Sequence, residues 1–407
     1  MTSCLRFLAV SICVACFAQT SPAQEWTEEQ VVRRFLDQSP WARDARARTA
    51  VAVAEARSRT LYSNPRVRYV REGAGLTEFL QAEQTIHWSG RLGLLRKSGG
   101  VSAGVAEAEG ALDLWEARTS LRLAFYRALA GQELGSVYEA GLKEIDEVNR
   151  VLTEREAAGE IARFDRLRAE RERAQLVAEW ALVQAETELD LGRLRGFLPA
   201  DVQIARVSGR LETSLSGGLD AETLARRAMA ARQDFRAEQQ RLTFFQFEQR
   251  AAERLRIPEP VVSAGYKRAD IGMNQIVHGG VVELSVPLPL FNKGQAEVSR
   301  FSAEQERSSA RLQILSRQIR AAVDGTVRAF NARREAKDRF SRALSDSGPE
   351  LVRIATVAYL EGEIGILQLL DAYRSQREAQ MRMLEIELAV KEAQIELERV
   401  VGEELDQ

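Results

Sequence analysis

Gly159-Glu160-Ile161 recurs late in the chain as Gly362-Glu363-Ile364. The likeness continues in register: Phe164 falls on Leu367, Leu167 on Leu370, Ala169 on Ala372 and Arg171 on Arg374. Each glycine is flanked on both sides by tens of residues of helical pattern. A shared period this long means one unit built twice, not a solenoid of short repeats. The chain reads as two similar halves, each with a helix going down, a glycine turn and a helix coming back.

Prolines outline the rest. Beyond the first residues they stand at 40, 65, 199, 258, 260, 287, 289 and 349. Proline breaks helix interiors, so the long stretches without it are where long helices fit. Leu92 to Ala158 and Ala296 to Glu361 are two such stretches. At about 1.5 Å per residue each spans about 100 Å. A helix of residues 27–62, entered at Thr27 and divided at Ser39-Pro40, precedes them. The stretch 198–218 is irregular, and helix resumes from Leu219 to about Arg256.

Heptad spacing runs from Val298 through Phe301, Gln305, Ser308, Leu312, Leu315, Ile319, Ala322 and Thr326 to Ala329. On the returning helix it runs from Leu369 through Ala372, Gln376, Ala379, Met383, Ile386, Val390, Ala393 and Leu397 to Val400. Sustained sevens imply coiled-coil packing. A second stripe at Leu384, Leu388 and Ile395 implies a neighbour on each side of that helix, as in a wall.

Before each long helix lies a strand pair. Residues 65–72 and 79–88 alternate, as do 261–268 and 279–290. Val282, Leu284, Val286, Leu288 and Leu290 share one face, and Gln81, Glu83 and Glu283 fall on the opposite faces of their strands. Four strands cannot close a barrel, since small barrels need about eight. Three copies would supply twelve, an even number suited to an outer-membrane barrel. Tyr69, Trp88, Tyr266 and Phe291 stand near strand ends, where an aromatic belt would sit.

Charged residues make up 29% of the chain and hydrophobic residues 45%, so a folded protein is expected. The net charge of −2 gives no reason to expect nucleic acid. Arg6, the apolar stretch 7–18 and Ser21-Pro22-Ala23 read as an export signal cut after Ala23. That cut removes Cys4, Cys13 and Cys16, the only cysteines. The alternative route lipidates Cys16 in the box Val14-Ala15-Cys16. After residue 23 no apolar run reaches the 18 or so residues of a spanning helix. Any membrane crossing must then be a β-barrel.

Asn64-Pro65, the run Val286-Pro287-Leu288-Pro289-Leu290-Phe291 into Asn292-Lys293-Gly294-Gln295, and Tyr359…Gly362-Glu363-Ile364…Leu369-Leu370-Asp371-Ala372 carry a resemblance. With these motifs the chain resembles the TolC family of outer-membrane efflux proteins, nearest its shorter, metal-efflux-like branch. The resemblance implies a mainly α fold with a small β part. Three copies would form an α-barrel joined to a shared twelve-stranded β-barrel. It divides the chain into a signal peptide (1–23), a first efflux repeat (24–210) and a second (211–407). It implies a homotrimer in outer-membrane lipid, working with a periplasmic adaptor protein and an inner-membrane pump of the RND type, with no catalytic residue and no cofactor.

By matching motif positions, Asp165 and Tyr359 fall where the family has a latch at the helix tips. The Arg that joins that latch is Ile364 here. Gln368 and Asp371 fall on the acidic constriction, so three copies would present a ring of Asp371 favouring cations. The bland reading of Asp371 is a surface carboxylate paired with Arg374. Gly159, Gly362 and Gly365 are read as turn residues needing unusual backbone angles. His87 and His278 are the only histidines and stand in no metal-binding pattern. The competing functions are a duct for secreted protein and an exported coiled-coil scaffold.

Overall fold

The computed structural model describes residues 25–73, 77–213, 215, 218–273, 275–345 and 348–405. The expected signal peptide and Cys16 lie outside the described residues. The elements, in order, begin with β1 (Glu25–Trp26), α1 (Glu28–Gln38), α2 (Pro40–Ser58), β2 (Arg66–Glu72), β3 (Thr77–Thr85), α3 (Arg91–Ala157) and α4 (Arg163–Arg195). There follow β4 (Arg206–Val207), α5 (Ala221–Ala231), α6 (Gln233–Glu253), β5 (Val261–Asp270), β6 (Ile276–Ser285), α7 (Gln295–Ser345), α8 (Gly348–Leu360) and α9 (Ile366–Val401).

Local chemistry sets the boundaries. Thr27 and Gln30 form a reciprocal capping box at the start of α1. Ser39 ends α1 and caps α2 through its hydroxyl, with Pro40 in the first turn, where its missing N–H is harmless. The expected single helix after Leu219 is instead two, because Arg232 breaks it without proline. Its backbone is extended, and its guanidinium grips Asp234 and the Val400 carbonyl. The irregular stretch after α4 holds a short ladder missed in the sequence: β4 pairs parallel with β1. Two-residue strands leave no alternation to read. Gln132 clamps that ladder through both Val207 backbone groups.

The four long strands form one antiparallel sheet in the order β2-β3-β5-β6, so β2 and β6 are its edges. Tyr69, Leu80, Tyr266 and Gly280 stand in one cross-strand row, and Val67, Ala82, Ala264 and Val282 in the next. This face is bare: Val282 is 78% exposed and Leu284 64%. The opposite face carries Arg66, Glu83, Ser263 and Glu283 in one row. Gln81 belongs to that face but is buried rather than wet, because Gly265 lets it lie across β5.

Several strand boundaries differ from the sequence reading. β3 ends at Thr85, so Ile86 to Trp88 lie beyond the ladder, and β5 and β6 extend into the expected loop 269–278. β6 stops at Ser285 although Val286, Leu288 and Leu290 keep alternating. Pro287 and Pro289 lack the N–H that a ladder needs.

The helices have no single core but three apolar clusters spread along their length. One gathers Phe35, Leu121, Phe125, Leu194 and Ile395. A second gathers Leu224, Val323, Phe330, Leu397 and Val401. The third gathers Tyr138, Leu152, Leu176, Tyr359 and Leu369. Thus α9 sends Ile395, Leu384 and Leu388 to one side and Val390, Leu397 and Val400 to the other. Its two stripes meet two neighbours, α3 and α7. On α7 the heptads drift: Ile319, Val323, Val327 and Phe330 are buried while Ala322 and Ala329 are exposed. That eleven-residue spacing matches a nearly straight helix, whereas a strict seven imposes left-handed supercoil.

Candidate functional site

The glycine turns are built alike to the individual hydrogen bond. Gly159 and Gly362 have φ of 74° and 79°. Gly159 N–H donates to Glu156 and Glu160 N–H to Arg155; Gly362 N–H donates to Tyr359 and Glu363 N–H to Ala358. Each pair is a Schellman closure, which needs a left-handed residue at its centre. Ile161 and Ile364 then pack against the third apolar cluster. Gly365 does not belong with these two. It has φ −85° and ψ 169° and precedes α9 as Ala162 precedes α4, so its place suits any residue.

Tyr359 is buried in the third cluster, with the Arg155 guanidinium 5.6 Å from its ring centre. Asp165 lies in the first turn of α4. Among the described residues no hydrogen bond joins Asp165 to Tyr359. Gln368 and Asp371 do come together, along an open groove of about 640 Å³ between α8 and α9 whose floor includes Leu351, Ile354 and Ala358.

The Asp371–Arg374 ion pair of the bland reading is not formed. Arg374 reaches across to α4 and bonds Glu172, which also meets Arg377 at 3.4 Å. The hydrogen bond to Glu172 raises the Arg374 pKa. Asp371 is left without a hydrogen bond or ion pair among the described residues, and exposed. Arg374 still attracts it across the helix face, but the guanidinium's hydrogen bonds go to Glu172.

Sequence reasoning missed a second polar centre. Arg122 on α3 bonds Glu28 on α1 and Glu398 on α9, and Tyr126 donates to the same Glu28. Only 9% of the Arg122 side chain and 3% of the Glu398 side chain are exposed. Lys391 completes the centre, its ammonium on the Glu212 carbonyl and 4.8 Å from the Tyr126 ring centre. Burial pushes the Glu28 carboxyl up, but Arg122 and Tyr126 outweigh it and hold the group below its ordinary value. Burial pulls the Lys391 ammonium down. No spacing rule could have found this centre, because its members are far apart in the chain.

Both histidines sit at the sheet. His87 Nδ1 is 2.6 Å from Glu259, where β3 leaves the ladder, and His278 meets the Tyr266 hydroxyl. Among the described residues no cluster of three metal-ligating side chains occurs. Nor is any described helix long and apolar enough to cross a membrane.

Comparison with known proteins agrees with this architecture. Residues 224–403 match the family model described as outer membrane efflux protein. No curated protein matches the chain by sequence. Among solved structures, CusC, described as forming a transmembrane channel, superposes with a TM-score of 0.74 at 15% identity, over 92% of each chain. The outer membrane protein VceC of Vibrio cholerae gives 0.72 at 16%, over 93% of this chain and 96% of that one. The outer-membrane channel OprN gives 0.70 at 20%, over 92% and 89%. Residues 224–403 thus fall in the outer membrane efflux protein family, and the whole chain has the fold of the TolC-family outer-membrane factors.

Proposed function

We propose that this protein is one third of a homotrimeric outer-membrane channel that passively conducts small toxic solutes or metal cations. A periplasmic adaptor and an inner-membrane pump of the RND type would hand the cargo over. The observation that carries the reading is the unfinished sheet: four strands, two unpaired edges and one bare apolar face. Unpaired edges and exposed apolar faces both invite a partner. Closing β6 of each copy onto β2 of the next removes every edge, and the apolar face then meets lipid. Tyr69 and Tyr266 stand at one end of that face, and exposed Trp88 and Phe291 at the other. Two aromatic girdles are what a membrane-spanning barrel carries.

The helices support the same closure. In the half of the wall nearest the glycine turns, α3 packs on α4 and α9, and α9 packs on α7 and α8. Its free edges are α4 and α8. Both expose apolar side chains, among them Phe164 and Leu182 on α4, and Ile354 and Leu360 on α8. Three copies would bury these edges against one another.

Within such a ring, Asp371 and Gln368 form the constriction, and three unpaired carboxylates favour cations. The latch of Asp165 and Tyr359, which has no bond inside one chain, would have to engage between copies. The export signal of residues 1–23 would deliver each copy, with efflux repeats at 24–210 and 211–407. Kinship with the metal-efflux branch rests on the motif resemblance alone.

The test is the mass and conductance of the detergent-extracted particle. A trimer that passes current in a planar bilayer is expected; a water-soluble monomer without current would overturn the proposal.

A further inference from the structure

We propose that the outward face of the sheet carries a binding site for phosphate-bearing lipid headgroups, formed at each seam between copies. The inference rests on the membrane reading above and adds a ligand to it.

From the helix side toward the hairpin turns, the outward rows are apolar, Gln84 apart, up to Tyr69, Leu80, Tyr266 and Gly280. The next row, about 7 Å further along the strands, is Arg71, Glu78, Arg268 and His278. Polarity switches within one step, just beyond the tyrosines. That is the depth at which headgroups replace acyl chains.

Glu78 sits between the two guanidiniums, 3.7 Å from Arg71 and 3.3 Å from Arg268, and accepts the Tyr69 hydroxyl at 3.1 Å. Among the described residues it is the only ion-pair partner of either arginine. Both remain about half exposed, 58% and 46%. A guanidinium has five N–H donors, so each keeps donors unspent. Tyr266 stacks on His278 with ring centres 5.6 Å apart and bonds its Nδ1, while among the described residues Nε2 has no hydrogen-bond partner. In the row beyond, Asp270 turns its carboxylate onto the Gly272 N–H.

Closing the sheet edge to edge places the next copy's β2 beside β6. Where the seam keeps the row in register, it continues from Arg268 through His278 to the next copy's Arg71, with no carboxylate between them. Two planar forks flanking an imidazole suit a phosphomonoester, which guanidinium binds in bidentate fashion. A zwitterionic headgroup offers a single phosphodiester charge beside its own cation and is a poorer match.

Native mass spectrometry of the intact trimer tests this. The micelles would be doped either with phosphatidic acid or with phosphatidylcholine of the same chains. About three phosphatidic acids retained per trimer are expected, with about tenfold preference over phosphatidylcholine. R71Q/R268Q should abolish the preference, and R71K/R268K, which keeps the charge, should restore part of it. No preference in the wild type, or an undiminished one in R71Q/R268Q, overturns the site. Inorganic phosphate that binds as well as the lipid overturns the lipid assignment. Failure of the membrane reading itself would appear separately, as absence of a trimer and of channel current.

Discussion

Gly159 and Gly362 share a left-handed backbone and an identical pair of closing hydrogen bonds, although they belong to opposite halves of the chain. A Cβ at either would meet nothing within 4 Å. The cost of replacing either glycine is therefore conformational alone. Gly159→Ala and Gly362→Ala should each cost about 1–2 kcal/mol. Gly365→Ala, at a position any residue adopts, should be neutral or slightly stabilising. Thermal unfolding of the purified variants distinguishes the three.

Gly265 plays a different part. A Cβ there would stand 2.1 Å from the Leu80 carbonyl oxygen and 2.6 Å from the Gln81 Cα, both backbone atoms that cannot swing aside. Gly265→Ala should force β3 from β5 and abolish accumulation of folded protein in the outer-membrane fraction. Normal recovery of the variant would show that the two hairpins are not held this closely.

The Arg122 centre should be intolerant of half-measures. Arg122→Met strands Glu28 and Glu398 in a buried site, at a cost of about 3–5 kcal/mol. It also gives the centre a pH signature. The folded state holds the Glu28 carboxyl below its usual 4.5. Its stabilising effect is present above that value and is lost as pH falls through the lower, folded one. Glu28→Gln should therefore flatten the acid limb of a stability profile below pH 4.5. An unchanged acid limb would remove Glu28 from the account.

At the tip, Asp371→Ala should reduce cation selectivity in single-channel recordings. Glu172→Gln should act in the same direction, since it releases Arg374, three residues from Asp371 on the same helix face. Unchanged selectivity in both variants would exclude the Asp371 ring.

Asp165→Ala combined with Tyr359→Phe probes the latch. A rise in closed-state conductance is expected from a contact between copies. Conductance equal to that of the unaltered channel would leave Tyr359 with only its packing role under Arg155.

Much of this fold is legible in the sequence because its signals are local. Glycine turns, proline stops, the helix start at Thr27 and the alternation of β2, β3, β5 and β6 each depend on a few neighbouring residues. The errors arise where local pattern and backbone chemistry part company. Val286 to Leu290 alternates like a strand, yet Pro287 and Pro289 cannot donate to one. Gly365 resembles Gly362 in sequence and differs from it in φ. The heptad on α7 drifts because a nearly straight helix prefers eleven-residue spacing to a strict seven. The Arg122 centre and the Glu172 bridge leave no local trace, since each joins residues from separate helices.

The matched but unequal turns bear on whatever meets this end of the molecule. A threefold ring would present six blunt ends in alternation, three led by Phe164 and three by Leu367. Whatever docks there would meet two unlike apolar contacts, Phe164 at 64% exposure and Leu367 at 46%, in place of one contact repeated.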